Sequence, residues 1–488
     1  MAAPVVVILA AGQGTRMRSA VPKLLHPLCG MPLIQWPVQA ALESGASRVV
    51  VVDSAQRLLA AALPDGVQVA VQERQLGTAD AVRAALRHVD GSDTVIVING
   101  DAPLVTAGTL SGLAGAHERS GAAATIATMV LDDPRGYGRI VRGADGTIER
   151  VVETKASGDA SELELRIREV NSGMFAFDVA ELASALTQVR ADNAQGEHYL
   201  PDVLPILRAA QRSVLPHKLA NPGELLGVND RVQLAHVTAV AQARICERHM
   251  LAGVTIVNPA ATSIDAGVEI AADALIELGC CLRGETAVGA GSTIGPHTTL
   301  IDTRVGEQSR VLHSYVSGAT VGDRVTVGPF AYLRPGTTMR EGSKAGTFVE
   351  IKNSDVGRGS KVPHLSYVGD AQIGEQVNLG ASTITANYDG YRKHHTTIGD
   401  RVRTSVDTTL VAPVTVGDDA YTAAGSVITD DVPQGALGVA RERQRNIAGY
   451  AERRRERAAA EAQGAAAEVA GGAAAEARND VAETDRTP

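Results

Sequence analysis

Residues 319–328 read Ala-Thr-Val-Gly-Asp-Arg-Val-Thr-Val-Gly: an aliphatic residue followed by glycine, met again six residues later. The same pair recurs at Val288-Gly289, Ile294-Gly295, Val305-Gly306, Val356-Gly357, Val368-Gly369, Ile373-Gly374, Leu379-Gly380, Ile398-Gly399 and Val416-Gly417. Repeats of six are the signature of a parallel β-helix, in which each repeat supplies a short strand and a turn. The aliphatic side chain is expected to point into the prism. The glycine is expected to serve the backbone conformation of the corner.

Working outward, 488 residues suggest about three domains. Apolar and charged fractions of 44% and 21% fit a soluble globular protein, and aromatics at 3% call for an aliphatic core. A formal charge of −9 argues against a general nucleic-acid binder while leaving room for local basic pockets. The cysteines (Cys29, Cys246, Cys280 and Cys281) have neither zinc-site nor disulfide-framework spacing. The apolar stretch Val5–Ala11 is too short to span a membrane and lacks the flanks of a leader. A cytoplasmic protein is expected.

Upstream of the repeats, residues 1–228 alternate strands with helices, which points to an α/β domain with a mostly parallel sheet. Strands are expected at Val5–Leu9, Arg48–Asp53, Thr94–Asn99, Thr125–Val130, Arg139–Val141 and Gly173–Phe177, and helices at Pro32–Ser44, Thr78–Val89 and Ala107–Ser120. Residues 229–252 read as a linker helix and 253–448 as the β-helix. Residues 449–488, rich in Ala, Glu and Arg, form a low-complexity tail. It is expected to be disordered, although its alanines allow a transient helix.

The first strand runs into Leu9-Ala10-Ala11-Gly12-Gln13-Gly14-Thr15-Arg16-Met17, with Pro22-Lys23 beyond. A glycine-rich strand–helix turn offers backbone N–H groups and a helix dipole to a phosphate, and Arg16 and Lys23 add charge for a triphosphate. The Walker A and dinucleotide patterns both fail here. The stretch resembles the opening of the sugar-1-phosphate nucleotidyltransferases, with their Rossmann-like α/β domain. That resemblance implies nucleotide contacts at Leu9, Ala10, Ala11, Gly12, Lys23, Gln72, Gly77 and Thr78. It implies sugar-side and phosphate contacts at Asn99, Gly100, Asp101, Gly138, Glu153, Asn171 and Asn229, with Asp101 and Asn229 holding Mg²⁺. In-line transfer of this kind needs positioning and charge more than covalent chemistry, so Arg16 and Lys23 are the catalytic candidates.

Within the repeats, polar insertions cluster at Pro363-His364-Leu365-Ser366-Tyr367-Val368-Gly369-Asp370, at Asn378 and at Asn387-Tyr388-Asp389-Gly390. Taken with the upstream loop, these resemble the bacterial bifunctional N-acetylglucosamine-1-phosphate uridylyltransferase/glucosamine-1-phosphate N-acetyltransferase family over roughly residues 5–448. The resemblance implies a left-handed coil, against the usual right-handed crossover rule, and a homotrimer. It makes His364 the general base of acetyl transfer, with Glu350 as an orienting partner. It implies amino-sugar phosphate contacts at Arg334, Lys352, Tyr367, Asn378 and Lys393, and acetyl-CoA contacts at Ala381, Asn387, Tyr388, Val406, Ala424 and Arg441. The implied product is UDP-N-acetylglucosamine, a cell-wall precursor, made from small-molecule substrates with acetyl-CoA and UTP as co-substrates.

Two positions depart from the family. Gly77-Thr78-Ala79-Asp80-Ala81 stands where Gly-Thr-Gly-His-Ala is usual, placing a carboxylate near the nucleotide. In Arg403-Thr404-Ser405-Val406-Asp407 the expected serine falls one place early, so acetyl-CoA binding should weaken unless the turn shifts to present Ser405. Two other readings compete: a nucleotidyltransferase whose β-helix only assembles or regulates it, and an inert scaffold. The insertions favour two activities; the loop at Gly12–Lys23 and Asp101 weigh against the scaffold.

Overall fold

The structure is a computed structural model describing residues 3–89, 94–144, 146–154, 160–192 and 196–483, with side chains described through residue 472. The first domain is one mixed, mostly parallel sheet. Its strands lie in the order Val214–Lys218, Ala124–Val130, Glu169–Asp178, Thr94–Asn99, Val5–Leu9, Arg48–Ser54, Gln68–Gln72. Val5–Leu9 is central and pairs in parallel with Arg48–Ser54 on one side and Thr94–Asn99 on the other. Glu169–Asp178 runs antiparallel to both its neighbours and carries the hairpin Arg139–Arg142/Ile148–Val152. Every expected strand is present. Within this sheet the sequence reading missed Gln68–Gln72, Ile148–Val152 and Val214–Lys218. Helix Ala107–Ser120 has the expected bounds because Thr106 caps its start and Gly121, at φ +58°, ends it.

Helix Arg231–Leu251 does more than connect. Asp230 accepts from the Gln233 N–H, and the Gln233 side chain accepts from the Asn229 N–H, so the cap fixes Asn229. Val237 and Ala241 pack with Met17, Leu28, Leu33 and Leu104 of the first domain. Ile245 and Cys246 join the core of the second domain. All four cysteines are free thiols, and burial pushes Cys29 up to about 12.

From Thr255 onward the chain forms a left-handed parallel β-helix of three parallel sheets with seven, ten and nine strands. Its core, from Val254 to Val432, contains no aromatic side chain. The glycines of the beat need correcting. Only Gly295 and Gly328, each preceding a proline, have positive φ; the other nine of the eleven do not. Gly289, Gly306, Gly322, Gly357, Gly374, Gly399 and Gly417 instead stack along one edge of the prism, where successive coils nearly touch. A Cβ on Gly289 would lie 2.6 Å from the Gly306 carbonyl carbon. The missing side chain, rather than a special backbone conformation, is what these levels require; Arg340, in register between Gly322 and Gly357, is the level that carries a side chain.

Gly289→Ala should therefore cost about 1–3 kcal/mol of β-helix stability through overpacking. Gly112→Ala, in open space on a helix, should be neutral or stabilising. Thermal melts of both variants check this.

One coil breaks the spacing. Val356 pairs with Ile373, 17 residues on, whereas Ile373 pairs with Ile398, 25 residues on. The surplus is a small hairpin closed by a Tyr388–Lys393 bridge and by Asp389, which bonds the Tyr391 and Arg392 N–H groups and His394. The tail forms a helix over Tyr450–Glu483, as its alanine content allows, and every described side chain in it is exposed. Residues 484–488 lie outside the described residues. Among those described, no helix is long and apolar enough to cross a membrane.

Candidate functional sites

The first site lies at the carboxyl end of the central strand, where open α/β sheets place ligands. A cleft of about 630 Å³ is lined by Ala10, Ala11, Gly12, Lys23, Gln72 and Gln75, among others. The expected helix after the loop is absent. Thr15–Met17 is a single 3-10 turn, and the first α-helix starts only at Gln35, so the loop does not run into an α-helix N-terminus. The loop's glycines carry the geometry. A Cβ on Gly12 would meet nothing within 4 Å, which leaves the cleft side open. Gly14, at φ +62°, lies against Lys23, where a Cβ would come within 2.5 Å of the Lys23 Cβ.

Lys23 is mostly buried, and its Nζ donates to Asp101 Oδ2 at 2.5 Å. Arg16 is exposed and donates to Asn229 Oδ1 at 2.8 Å. Each oxygen expected to hold metal is thus bonded to a cation expected to meet phosphate. Gly100 N–H donates to Leu9 O at 2.9 Å, which brings Asn99-Gly100-Asp101 beside the loop. Asn99 packs its amide over Gly173. On the sugar side, Asn171 N–H donates to Gly138 O at 2.8 Å, and Glu153 Oε1 lies 3.6 Å from where a Gly138 Cβ would be. Tyr137, which the sequence reading passed over, hydrogen-bonds the backbone of Gly227, and burial pushes its phenol above the usual range.

Gln72 is buried and donates to Gly77 O (3.0 Å) and Asp80 Oδ2 (2.9 Å). Thr78 Oγ1 accepts from Leu200 N–H at 2.8 Å, so this hydroxyl also pins the segment around His198. Gln75, also missed, donates to Ala11 O across the cleft. Among the described residues no group of three or more His, Cys, Asp or Glu is placed to hold a metal.

The second site occupies one face of the prism and its two bounding edges. Along one edge, Leu365, Ser382, Asp407 and Gly425 all have left-handed φ on consecutive coils. The residue before each is His364, Ala381, Val406 and Ala424. Backbone bonds link these levels: Ser382 N–H to His364 O, Asp407 N–H to Ala381 O, and Gly425 N–H to Val406 O. Four predicted site residues thus form a single column, with the histidine at its head. The turn at Ser405 has not shifted; Val406 holds the column position and is exposed. Asn378 sits on the Ala381 level, in register with Lys361 and Arg403.

His364 is exposed, and among the described residues its ring has no hydrogen-bond partner. Glu350, expected to orient it, instead accepts from Arg334 Nη1 at 2.8 Å. At the opposite edge, Asp370 gathers the polar residues. Its nearly buried carboxylate accepts from Asn387 Nδ2 (2.6 Å), Asn353 Nδ2 (2.7 Å) and Lys352 Nζ (3.3 Å). Those bonds outweigh burial and hold it below the usual carboxylate range. Asn387 also lies 3.5 Å from the Tyr367 hydroxyl; the two side chains close over Gly369, where a Cβ would come within 2.5 Å of that hydroxyl. Lys393 is held below the usual lysine range by Lys352 beside it. Arg334, Lys352 and Lys393 therefore form a cationic cluster. Tyr388 lies exposed in the hairpin and bonds Gly390 O, and Arg441 is exposed beyond the last coil.

Comparison with known proteins agrees with this division. Residues 6–165 match the MobA-like NTP transferase domain. The chain is 51% identical over 462 residues to the Bifunctional protein GlmU of Streptomyces avermitilis, covering 93% of this chain and 95% of that one. The protein of the same name from Corynebacterium efficiens is 50% identical over 464 residues, with the same coverage of both chains. That from Nocardia farcinica is 47% identical over 469 residues, covering 93% and 94%. Similarity at this level runs through both domains and the helix between them: the chain belongs to the bifunctional GlmU family.

Proposed function

We propose that this chain makes UDP-N-acetylglucosamine in two consecutive reactions, one in each domain. What carries the reading is the column His364–Ala381–Val406–Ala424, a base set at the head of a run of small residues that a single-activity scaffold would not need. In the β-helix, the amine of glucosamine-1-phosphate attacks the thioester carbon of acetyl-CoA. A C–N bond forms, the C–S bond breaks, and His364 takes the amine proton. Arg334, Lys352 and Lys393 hold the sugar phosphate; Asn387, which shares the Asp370 edge with them, and the exposed Tyr388 and Arg441 contact acetyl-CoA.

In the first domain, a phosphate oxygen of N-acetylglucosamine-1-phosphate attacks the α-phosphorus of UTP in line, and pyrophosphate leaves. Lys23 and Arg16 turn from Asp101 and Asn229 to the phosphates, while Gly12 and the open side of its loop admit them. Asp101 and Asn229 fit Mg²⁺ in kind, two hard oxygens beside Lys23 and Arg16 with substrate phosphates to complete the set. When bound, the ion supplies charge neutralisation on those phosphates.

We read the protein as a cytoplasmic homotrimer. About 16 Å of extended chain, five residues at about 3.3 Å each, separates the His364 edge from the Asp370 edge, which favours sites completed by a neighbouring copy. The exposed rings Phe330 and Phe348, stacked 5.6 Å apart below Leu365, offer that neighbour an apolar ridge.

The test is a single-pot assay with glucosamine-1-phosphate, acetyl-CoA, UTP and Mg²⁺, on material sized by light scattering. UDP-N-acetylglucosamine should form at three chain masses. A requirement for added N-acetylglucosamine-1-phosphate would reduce the protein to a nucleotidyltransferase. Val406→Ser should restore one hydrogen bond to acetyl-CoA, worth about 1 kcal/mol or about fivefold in Kd by calorimetry.

A further inference from the structure

The carboxylate of Asp80, which stands where the family usually has histidine, is already engaged. It accepts from Gln72 Nε2 at 2.9 Å, and Gly77 O accepts from the same nitrogen at 3.0 Å. A primary amide has two N–H groups, and here both are taken. Turning the amide over would set its oxygen against a carbonyl oxygen and a carboxylate oxygen, neither of which can donate. The orientation is therefore dictated by the partners. Gln72 lines the cleft, and among the described residues its Oε1 accepts no hydrogen bond. Arg83, 3.9 Å from the other Asp80 oxygen, and the start of helix Thr78–Leu86 steady the carboxylate.

We propose that Asp80 is a positioning residue that locks the Gln72 amide with its oxygen toward the nucleotide base, so that the cleft selects a uracil base over cytosine. An acceptor at that place complements the N3–H of uracil and opposes the N3 lone pair of cytosine. A buried polar group facing the wrong edge is the kind of mismatch that discriminates strongly. The carboxylate that replaces histidine sharpens base selection, acting through its neighbour without touching the substrate. This inference rests on the uridylyl-transfer reading.

The test is initial-rate kinetics with UTP and with CTP, each with N-acetylglucosamine-1-phosphate and Mg²⁺, for the unaltered protein, Asp80→Ala and Asp80→Asn. Asp80→Ala should lower the UTP-to-CTP ratio of kcat/KM about tenfold, with the loss in KM for UTP rather than in kcat. Asp80→Asn keeps an oxygen that can accept from Gln72 and should stay within about threefold of the original ratio. An unchanged ratio in Asp80→Ala would overturn the proposal. So would an equal fall in both variants, which would assign the effect to charge alone. Thermal melts and near-ultraviolet circular dichroism of the same samples report that the first domain is folded. Failure of the unaltered protein to use UTP at all would overturn the uridylyl reading itself, a separate outcome.

Discussion

Replacing His364 by alanine is expected to lower acetyl transfer by about 10²–10⁴-fold, the usual contribution of a positioned general base, while uridylyl transfer stays within twofold. The reason is geometric. His364 is the only imidazole in the column, its backbone is tied into two coils, and its side chain is exposed, so alanine removes the base without opening a cavity. Glu350, the carboxylate expected to orient it, is committed to Arg334. Assaying the two half-reactions separately checks the prediction; a parallel loss of both would contradict separate sites.

Lys23→Ala is expected to do the reverse. Its ammonium lies 2.5 Å from Asp101 in a slot that only Gly14 leaves open. Removing it leaves Asp101 uncompensated beside the phosphates and takes a preorganised charge from the transition state. A loss of about 10²–10³-fold in kcat/KM for UTP follows, the magnitude of one such group. Acetyl transfer should not change. A fall of less than tenfold would shift the work to Arg16.

How far the sequence could be read depended on where each residue's role is set. The central strands declared themselves as unbroken aliphatic runs, Val5–Leu9 and Thr94–Asn99 among them. Two of the three missed strands, Gln68–Gln72 and Val214–Lys218, are the outer edges of the sheet, where polar residues and even Pro216 are tolerated. The repeat announced the β-helix, but the reason for its glycines lay in the neighbouring coil, 16 to 25 residues away, beyond the reach of any local pattern. Asp370 was missed for the same cause. As Gly-Asp it reads like a turn, and its part in the site comes from Lys352 one coil before and Asn387 one coil after. The roles proposed for His364 and Asp101 come from the resemblance; neither spacing nor composition could supply them. Asp80 was legible only as a departure; the structure gave the carboxylate a partner in Gln72.

The central claim is that one chain holds two independent sites for consecutive reactions. Mixing the two inactive variants, His364→Ala and Lys23→Ala, tests it most directly. Each alone, given glucosamine-1-phosphate, acetyl-CoA, UTP and Mg²⁺, should make little UDP-N-acetylglucosamine. The equimolar mixture should make it readily, because N-acetylglucosamine-1-phosphate released by one variant is used by the other. A mixture as inactive as either variant alone would contradict the account.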